Sequence, residues 1–382
     1  MWFLKMEIFS RMLLVALGAC LLSAILQRRN KGNLVPRLLL AADFGIIVFV
    51  SVKLAVFYAL YIGGTYALVR LNRGVRRGRT AIFVVSCLLA TVPFFYARTV
   101  HFLPALPAIV EMVGISYNML KAIDAIFYVH YAEEPIPFLT YANYMAFFPV
   151  ITAGPIFRYR DFLASYSASE RITTRSVTED TKRLIRGLFK KVVIEAVLMQ
   201  GFEKLLAHEM SAPVSVIIIA VNYLILFLDM DGYADIAIAL GGFMGIRVPE
   251  NFDKPWEAPS FTIYYRKWHI TLSSWIRDHV FVLLRGKRLR KWQAALVNLG
   301  TMFVMGMWHD FGLAGLVQGC FIGSLMAVEA LLGLGRVQKR KTKKSIFALR
   351  CFVVNALSAV GALAYTVDAG QYFSVLRGLL RF

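Results

Sequence analysis

The stretch VPENFDKPWEAPSFTIYYRKWHITLSSWIRDHVFVLLRGKRLRKWQAALVNLGTMFVMGMWHD, residues 248–310, decides how the rest of the chain is read. It gathers Asn251, Asp253, Arg266, Lys267, His269, Arg277, Asp278, His279, a basic run at 285–291 and finally His309 and Asp310, inside a chain that is otherwise apolar. Its first half, Phe261 to Leu284, has helical character but too many polar residues to face lipid. It is therefore expected in a membrane interface or lining an internal cavity. Its second half, Ala294 to Trp308, is apolar and delivers His309 at its end. Ionisable groups at membrane depth are costly, and where they occur they mark function.

The composition supplies that membrane. Of 382 residues, 58% are hydrophobic and 17% charged, where soluble domains run at about half and about a quarter, and the mean hydropathy is positive. The expected fold class is all-α, a polytopic integral membrane protein with one domain over 1–382. At about 20 apolar residues per crossing, the apolar stretches suffice for roughly eight to eleven transmembrane helices, with interfacial helices besides. The formal net charge of +20 falls in short blocks between apolar segments, as cytoplasmic loops facing anionic lipid require. Membrane lipid is thus the expected partner, and nucleic acid is not. Cys20, Cys87, Cys320 and Cys351 sit in apolar stretches without CxxC pairing, which indicates neither a disulfide framework nor a metal site.

Upstream, Met12 to Gln27 reads as a retained first span, closed by Arg28, Arg29 and Lys31. Leu38 to Leu71 is too long for one ordinary crossing. The basic segments on either side of it demand an even number of crossings, which favours two spans. Ala81 to Ala97 and Leu106 to His130 are further spans, the latter carrying Lys121 and Asp124 three residues apart, where they can meet on one helix face. Residues 163–182 read as a polar loop and Arg183 to Leu206 as an amphipathic interfacial helix. Val214 to Leu228 is a span ending at Asp229, Asp231 and Asp235, with Ile236 to Ile246 as a short return. Downstream, Gly312 to Leu334 and Ile346 to Val367 flank the basic loop Arg336 to Lys344.

Among the polar residues, His309 is the leading catalytic candidate, because imidazole suits proton abstraction from a hydroxyl near neutral pH. The bland alternative is a histidine closing a helix end. His269 is the second candidate, with a structural or substrate-positioning role open to it. Ser273 and Ser274 follow closely, but no GxSxG elbow accompanies them. His269, His279 and His309 form no HExxH or comparable metal signature, so no catalytic metal is expected. Asp229, Asp231 and Asp235 support the competing reading of a proton-coupled transporter of envelope precursors.

Six blocks in order resemble the membrane-bound O-acyltransferases: FPVITAGPIFRYRDF (148–162), RGLFKKVVI (186–194), DGYADIAI (231–238), PENFDKP (249–255), RKWHITLSSWIRD (266–278) and MGMWHD (305–310). They are most similar to the bacterial branch of alginate O-acetylases and teichoic acid D-alanyl transferases. The resemblance implies a helical bundle with a central tunnel and a motif-bearing catalytic core over 148–335. The donor, an acyl-CoA or acyl-carrier thioester, would enter from the cytoplasm, and the acceptor, a hydroxyl on a cell-envelope glycan, from outside. It implies no metal and no tightly bound cofactor, residence in the bacterial cytoplasmic membrane, and an extracytoplasmic acyl-handling partner protein. His309 matches the family's catalytic histidine and His269 its second histidine. Asn251 and Arg277 match positions near the funnel and are carried, with Trp308 and Asp310, as substrate-binding residues, while His269, Arg266 and Trp268 would hold or polarise the donor. Acetyl transfer is favoured over D-alanyl transfer. Two positions depart from the pattern: Asp310 stands where glycine is usual, and Ile322 where relatives often carry another histidine.

Overall fold

A computed structural model of the protein describes residues 6–28, 34–74, 78–99, 114–168, 172–280 and 289–381, and among these every extended regular element is a helix. Parts of the expected features, namely residues 29–31, Arg76 and Arg77, 106–113 and 281–288, lie outside the described residues. The chain divides into two compact units, Met1–Ile185 with Asp235–Pro249, and Arg186–Ala234 with Glu250–Phe382.

The first unit holds α1 (Met6–Arg28), α2 (Val35–Val50), α3 (Val52–Gly74), α4 (Arg79–Thr99), α5 (Ile115–Ala132), α6 (Phe138–Ala146), α7 (Tyr159–Ala168) and most of α8 (Thr174–Leu188). The long run 38–71 is indeed two helices. Ser51 breaks it with extended backbone (φ −165°, ψ 124°), and its hydroxyl oxygen accepts the Leu54 N–H at 3.3 Å, capping the next helix. At 1.5 Å per residue α2 is about 24 Å long, short of a hydrocarbon core of about 30 Å. It also carries the fully buried Asp43, which accepts the Phe148 N–H at 3.2 Å.

That contact belongs to a set that fixes the block 148–162. Lys121 Nζ donates to Met145 O at 3.1 Å, and Asp124 accepts the Tyr159 N–H at 2.5 Å. The two residues expected to meet each other on α5 thus each hold the chain around this block. Tyr144, Phe147, Phe157 and Phe162 form its buried aromatic core. The expected loop 163–182 is, where described, largely helical. Thr173 Oγ1 accepts the Ser176 N–H at 3.1 Å, an N-cap that starts α8 inside the polar stretch. The polarity reflects an exposed helix face, not irregular chain.

The second unit begins with a six-residue π-helical turn, Phe189–Ile194, then α9 (Glu195–Leu206) and α10 (Ala212–Phe243), which continues into the first unit. The sequence suggested a break at Asp229 to Asp235, yet α10 runs through it for 32 residues. The reason is charge compensation. Asp229 pairs with Lys191 and Asp231 with Lys190, while within the first unit Asp235 takes Arg183 at 2.9 Å. Gly232 permits the close approach, since a Cβ there would lie 3.1 Å from Gly187 O and 3.2 Å from the Cβ atoms of both lysines.

Then come α11 (Phe261–Tyr264), α12 (Ile270–His279), α13 (Lys291–His309), α14 (Leu313–Leu332), α15 (Lys344–Leu363) and α16 (Ala369–Gly378). Among the described residues α3, α4, α10, α14 and α15 are long and apolar enough to cross a membrane, and α1 contains the shorter apolar stretch Leu13–Leu26. The expected interfacial helix 261–284 is, where described, two short helices. Glu329 on α14 fastens the first, accepting the Phe261 and Thr262 N–H groups at 2.6 and 3.0 Å.

Helices α13 and α14 meet along a glycine seam. A Cβ on Gly306 would lie 2.2 Å from Gly315 O, one on Gly315 2.0 Å from Asp310 O, and one on Gly319 2.7 Å from Met302 O. Small residues of this kind let helix backbones touch. Here they set the position of the last turn of α13, which ends on His309.

Candidate functional site

Two histidines reach the same place by different local means. His309 is the last residue of α13 and is partly exposed. His269 lies between α11 and α12 in the left-handed region (φ 47°, ψ 52°), a conformation that non-glycine residues hold only when their surroundings dictate it. Those surroundings are the loop carrying Asn251. The Ile270 N–H donates to Asn251 O at 2.9 Å, and Asn251 Oδ1 accepts the Thr271 hydroxyl at 2.8 Å. The imidazole centroids of His269 and His309 are 5.8 Å apart.

The protonation of His269 follows from its partners. Nδ1 lies 3.2 Å from Asn251 Oδ1, an oxygen already accepting from Thr271, so Nδ1 carries the proton and donates. Nε2 is then a bare acceptor, buried and without a hydrogen-bond partner among the described residues. Burial, followed by the neighbouring His309, pushes the His269 pKa down to about 3. The ring is therefore neutral at physiological pH, with a lone pair presented to whatever occupies the site.

Asp310 has a task of its own. Its N–H closes α13 on Gly306 O at 2.9 Å, while its carboxylate accepts the Gly315 N–H at 3.3 Å in the first turn of α14. An acidic side chain at a helix N-terminus is favoured by the orphan amides and the dipole there. The departure from glycine thus fastens the turn next to His309. Ile322 is fully buried and packs where a Gly361 side chain would project.

A cavity of about 480 Å³ lies in the same unit, and neither His269 nor His309 is among its lining residues. Its lining includes Arg266, Arg277, Tyr265, Ser273, Ser274 and Asn298, over an apolar side made by Met302, Met305 and Met326. Ile270, next to His269, and Met305, one turn before His309, share that wall. Arg277 also pairs with Asp278 at 3.0 Å. This cavity-lining segment is the one whose polarity was too high for lipid.

Other expected site residues stand apart from the cavity lining. Asn251 is fully buried and acts on His269. Trp268 stacks on Tyr223 and Tyr264 at 5.4 and 5.6 Å, with Phe252 edge-on at 5.2 Å. Trp308 is buried against His309 at 4.8 Å. His279 stacks on Trp275 at 4.3 Å. Among the described residues no three His, Cys, Asp or Glu side chains group as a metal-ligand set. Asp229, Asp231 and Asp235, the basis of the transporter reading, are each matched to a cation.

Sequence reading missed Tyr365 and Gln318. The Tyr365 ring lies 5.6 Å from His309, and its hydroxyl donates to Gln318 Oε1 at 2.8 Å. Gln318 was open to detection, since an amide inside the span Gly312 to Leu334 requires a buried partner. Tyr365 left no such trace, because one tyrosine at the end of a span is ordinary.

A family model described as MBOAT, membrane-bound O-acyltransferase family, matches residues 53–359. The chain is 31% identical over 225 residues to the probable alginate O-acetylase AlgI of Pseudomonas putida, covering 58% of this chain and 46% of that protein. It is 30% identical over 220 residues to a peptidoglycan O-acetyltransferase of Helicobacter pylori, 56% of this chain and 40% of that one. A teichoic acid D-alanyltransferase of Bacillus subtilis is 27% identical over 264 residues, 64% of this chain and 67% of that one. The match thus spans less than half the length of the two O-acetylating relatives.

Proposed function

The chain belongs to the membrane-bound O-acyltransferase family, and we propose that it moves a short acyl group, acetyl in the first instance, from a thioester donor to hydroxyls of a cell-envelope polysaccharide. The observation that carries this reading is the histidine pair, His309 beside a neutral His269 with a bare Nε2.

In this scheme His309 is the general base. It takes the proton of the acceptor hydroxyl as the oxygen attacks the thioester carbonyl. The C–S bond then breaks, and the departing thiolate receives the proton from the imidazolium. His269 cannot donate through Nε2, so it accepts a hydrogen bond from a substrate O–H or amide N–H and orients that group. Arg266 and Arg277 offer cations to an anionic donor such as an acyl-CoA or acyl-carrier phosphopantetheine, and Ser273 and Ser274 line the approach. Holding the reacting atoms in a fixed arrangement supplies much of the rate, about 7–11 kcal/mol of barrier in well-oriented systems. The scheme needs neither a metal nor a tightly bound organic cofactor.

We place the protein in the bacterial cytoplasmic membrane as one functional domain with its motif-bearing core over 148–335. The donor carrier would stand on the cytoplasmic side, and an acyl-handling partner would receive the group outside. The second reading, D-alanyl transfer to teichoic acid, draws on the Bacillus relative. Neighbouring genes separate the two: an adenylating ligase with a carrier protein supports D-alanylation, and a secreted acetyl-handling protein supports acetylation. The central test replaces His309 by Ala in a correctly inserted protein and reads envelope acyl groups by mass spectrometry. Loss of acylation is expected, and unchanged acylation would overturn the reading.

A further inference from the structure

The residues after α15 contribute a side chain to the histidine pair from outside the matched family segment, which ends at residue 359. Tyr365, in the turn that follows Leu363, places its ring 5.6 Å from that of His309, tilted by 54°. Trp308 at 4.8 Å and His269 at 5.8 Å are also ring neighbours of His309. Tyr365 therefore adds a wall from a separate element.

That wall is anchored. The Tyr365 hydroxyl donates to Gln318 Oε1 at 2.8 Å. Gln318 is 8% exposed in the second turn of an apolar helix. An amide there is costly unless satisfied, so the Tyr365 hydroxyl holds it and it holds the tyrosine.

We propose that Tyr365 is a positioning residue for His309, fixing the imidazole by ring packing, with Gln318 locking the tyrosine. The catalytic consequence rests on the acyltransfer reading above, while the positioning itself does not. A histidine at the end of a helix keeps rotamer freedom about its side-chain bonds unless neighbours remove it. The tyrosine ring restricts it from a separate element, and its own hydroxyl is pinned to a different helix.

The test uses the full chain in detergent and an activity-independent readout, the rate at which diethylpyrocarbonate modifies each histidine, followed by mass spectrometry. The exposed His208, two residues after the end of α9, serves as the internal reference. Tyr365→Ala is expected to raise the His309 rate several-fold with His208 unchanged. Tyr365→Phe, which keeps the ring, should return most of the protection. Gln318→Leu, which keeps the ring but frees the hydroxyl, should give a smaller rise and serves where the alanine variant fails to fold. Envelope acylation should fall about tenfold or more in Tyr365→Ala, as misplacement by an ångström costs elsewhere, and recover in Tyr365→Phe. An unchanged His309 rate in both Tyr365→Ala and Gln318→Leu, or a phenylalanine variant as reactive as the alanine one, overturns the positioning role. Full acylation in His309→Ala overturns the acyltransfer reading instead, and the labelling rates still judge the positioning.

Discussion

Replacing Asn251 by Leu, a side chain of closely similar size, tests the account of His269 most directly. Asn251 Oδ1 accepts from His269 Nδ1 at 3.2 Å, the Thr271 hydroxyl at 2.8 Å and, less closely, the Thr271 N–H at 3.4 Å. The threonine hydroxyl can rotate toward another acceptor, but the His269 N–H, on a ring only 2% exposed, cannot reach water. An orphaned buried donor costs about 1–3 kcal/mol and a lost hydrogen bond about 1 more, so Asn251→Leu should destabilise the protein by about 2–4 kcal/mol. Without the acceptor the tautomer is no longer imposed, and Nε2 is free to carry the proton. Each 1.4 kcal/mol of misaligned ground state is about tenfold in rate, so envelope acylation should drop at least that far. Asn251→Asp retains an acceptor oxygen in place and should keep His269 Nδ1 protonated. Unfolding curves in mixed micelles and mass spectrometry of the envelope read both consequences. A leucine variant within about 0.5 kcal/mol of the parent, the usual scatter of neutral substitutions, and with full acylation would refute the reasoning.

Gly315→Ala should destabilise the α13–α14 seam and displace His309, because its methyl would sit 2.0 Å from Asp310 O and 2.5 Å from Gly306 O; unfolding midpoint and acylation should fall together. The buried, neutral His269 makes stability pH-dependent. The unfolded histidine takes a proton below its ordinary pKa of 6.5, whereas the folded one does so only near pH 3. Stability present above pH 6.5 is thus lost as pH falls toward 3, and His269→Gln should remove that component from unfolding measured across the range. Lys191→Met should cost about 3 kcal/mol, the usual penalty for orphaning a buried charge, because Lys191 faces both Asp229 and Glu195. Adding Asp229→Asn should recover part of the loss in the same unfolding assay.

The all-helical membrane fold was legible because apolar length and charge placement are carried by composition alone. The break in 38–71 was legible too, through the parity of the basic segments, although the capping Ser51 that makes it went unnoticed. The continuity of α10 was not legible. Three aspartates in a hydrophobic run read as an end, and only cations from residues 183–191, brought alongside by the fold, turn them into interior residues. The loop expected at 163–182 failed for a related reason, since a polar composition does not distinguish an exposed helix from irregular chain. At the site, both histidines and Asn251 were found from motif and chemistry. The tautomer of His269 and the approach of Tyr365 depend on contacts between distant parts of the second unit, which no local pattern encodes, whereas the capping use of Asp310 is a contact five residues along the chain that was not recognised.

The seam between α13 and α14 bears on how the site comes into being. Gly306, Gly315 and Gly319 make a close hairpin out of one uninterrupted piece of sequence, and contacts between residues near in sequence form fastest. The hairpin is thus expected to bring His309 to its place while later segments are still being made. His269, by contrast, takes its strained backbone from the Asn251 loop and not from the hairpin. One half of the pair takes its backbone position from a local hairpin and the other from the Asn251 loop, so damage to one scaffold leaves the backbone of the other histidine in place while the pair itself is lost.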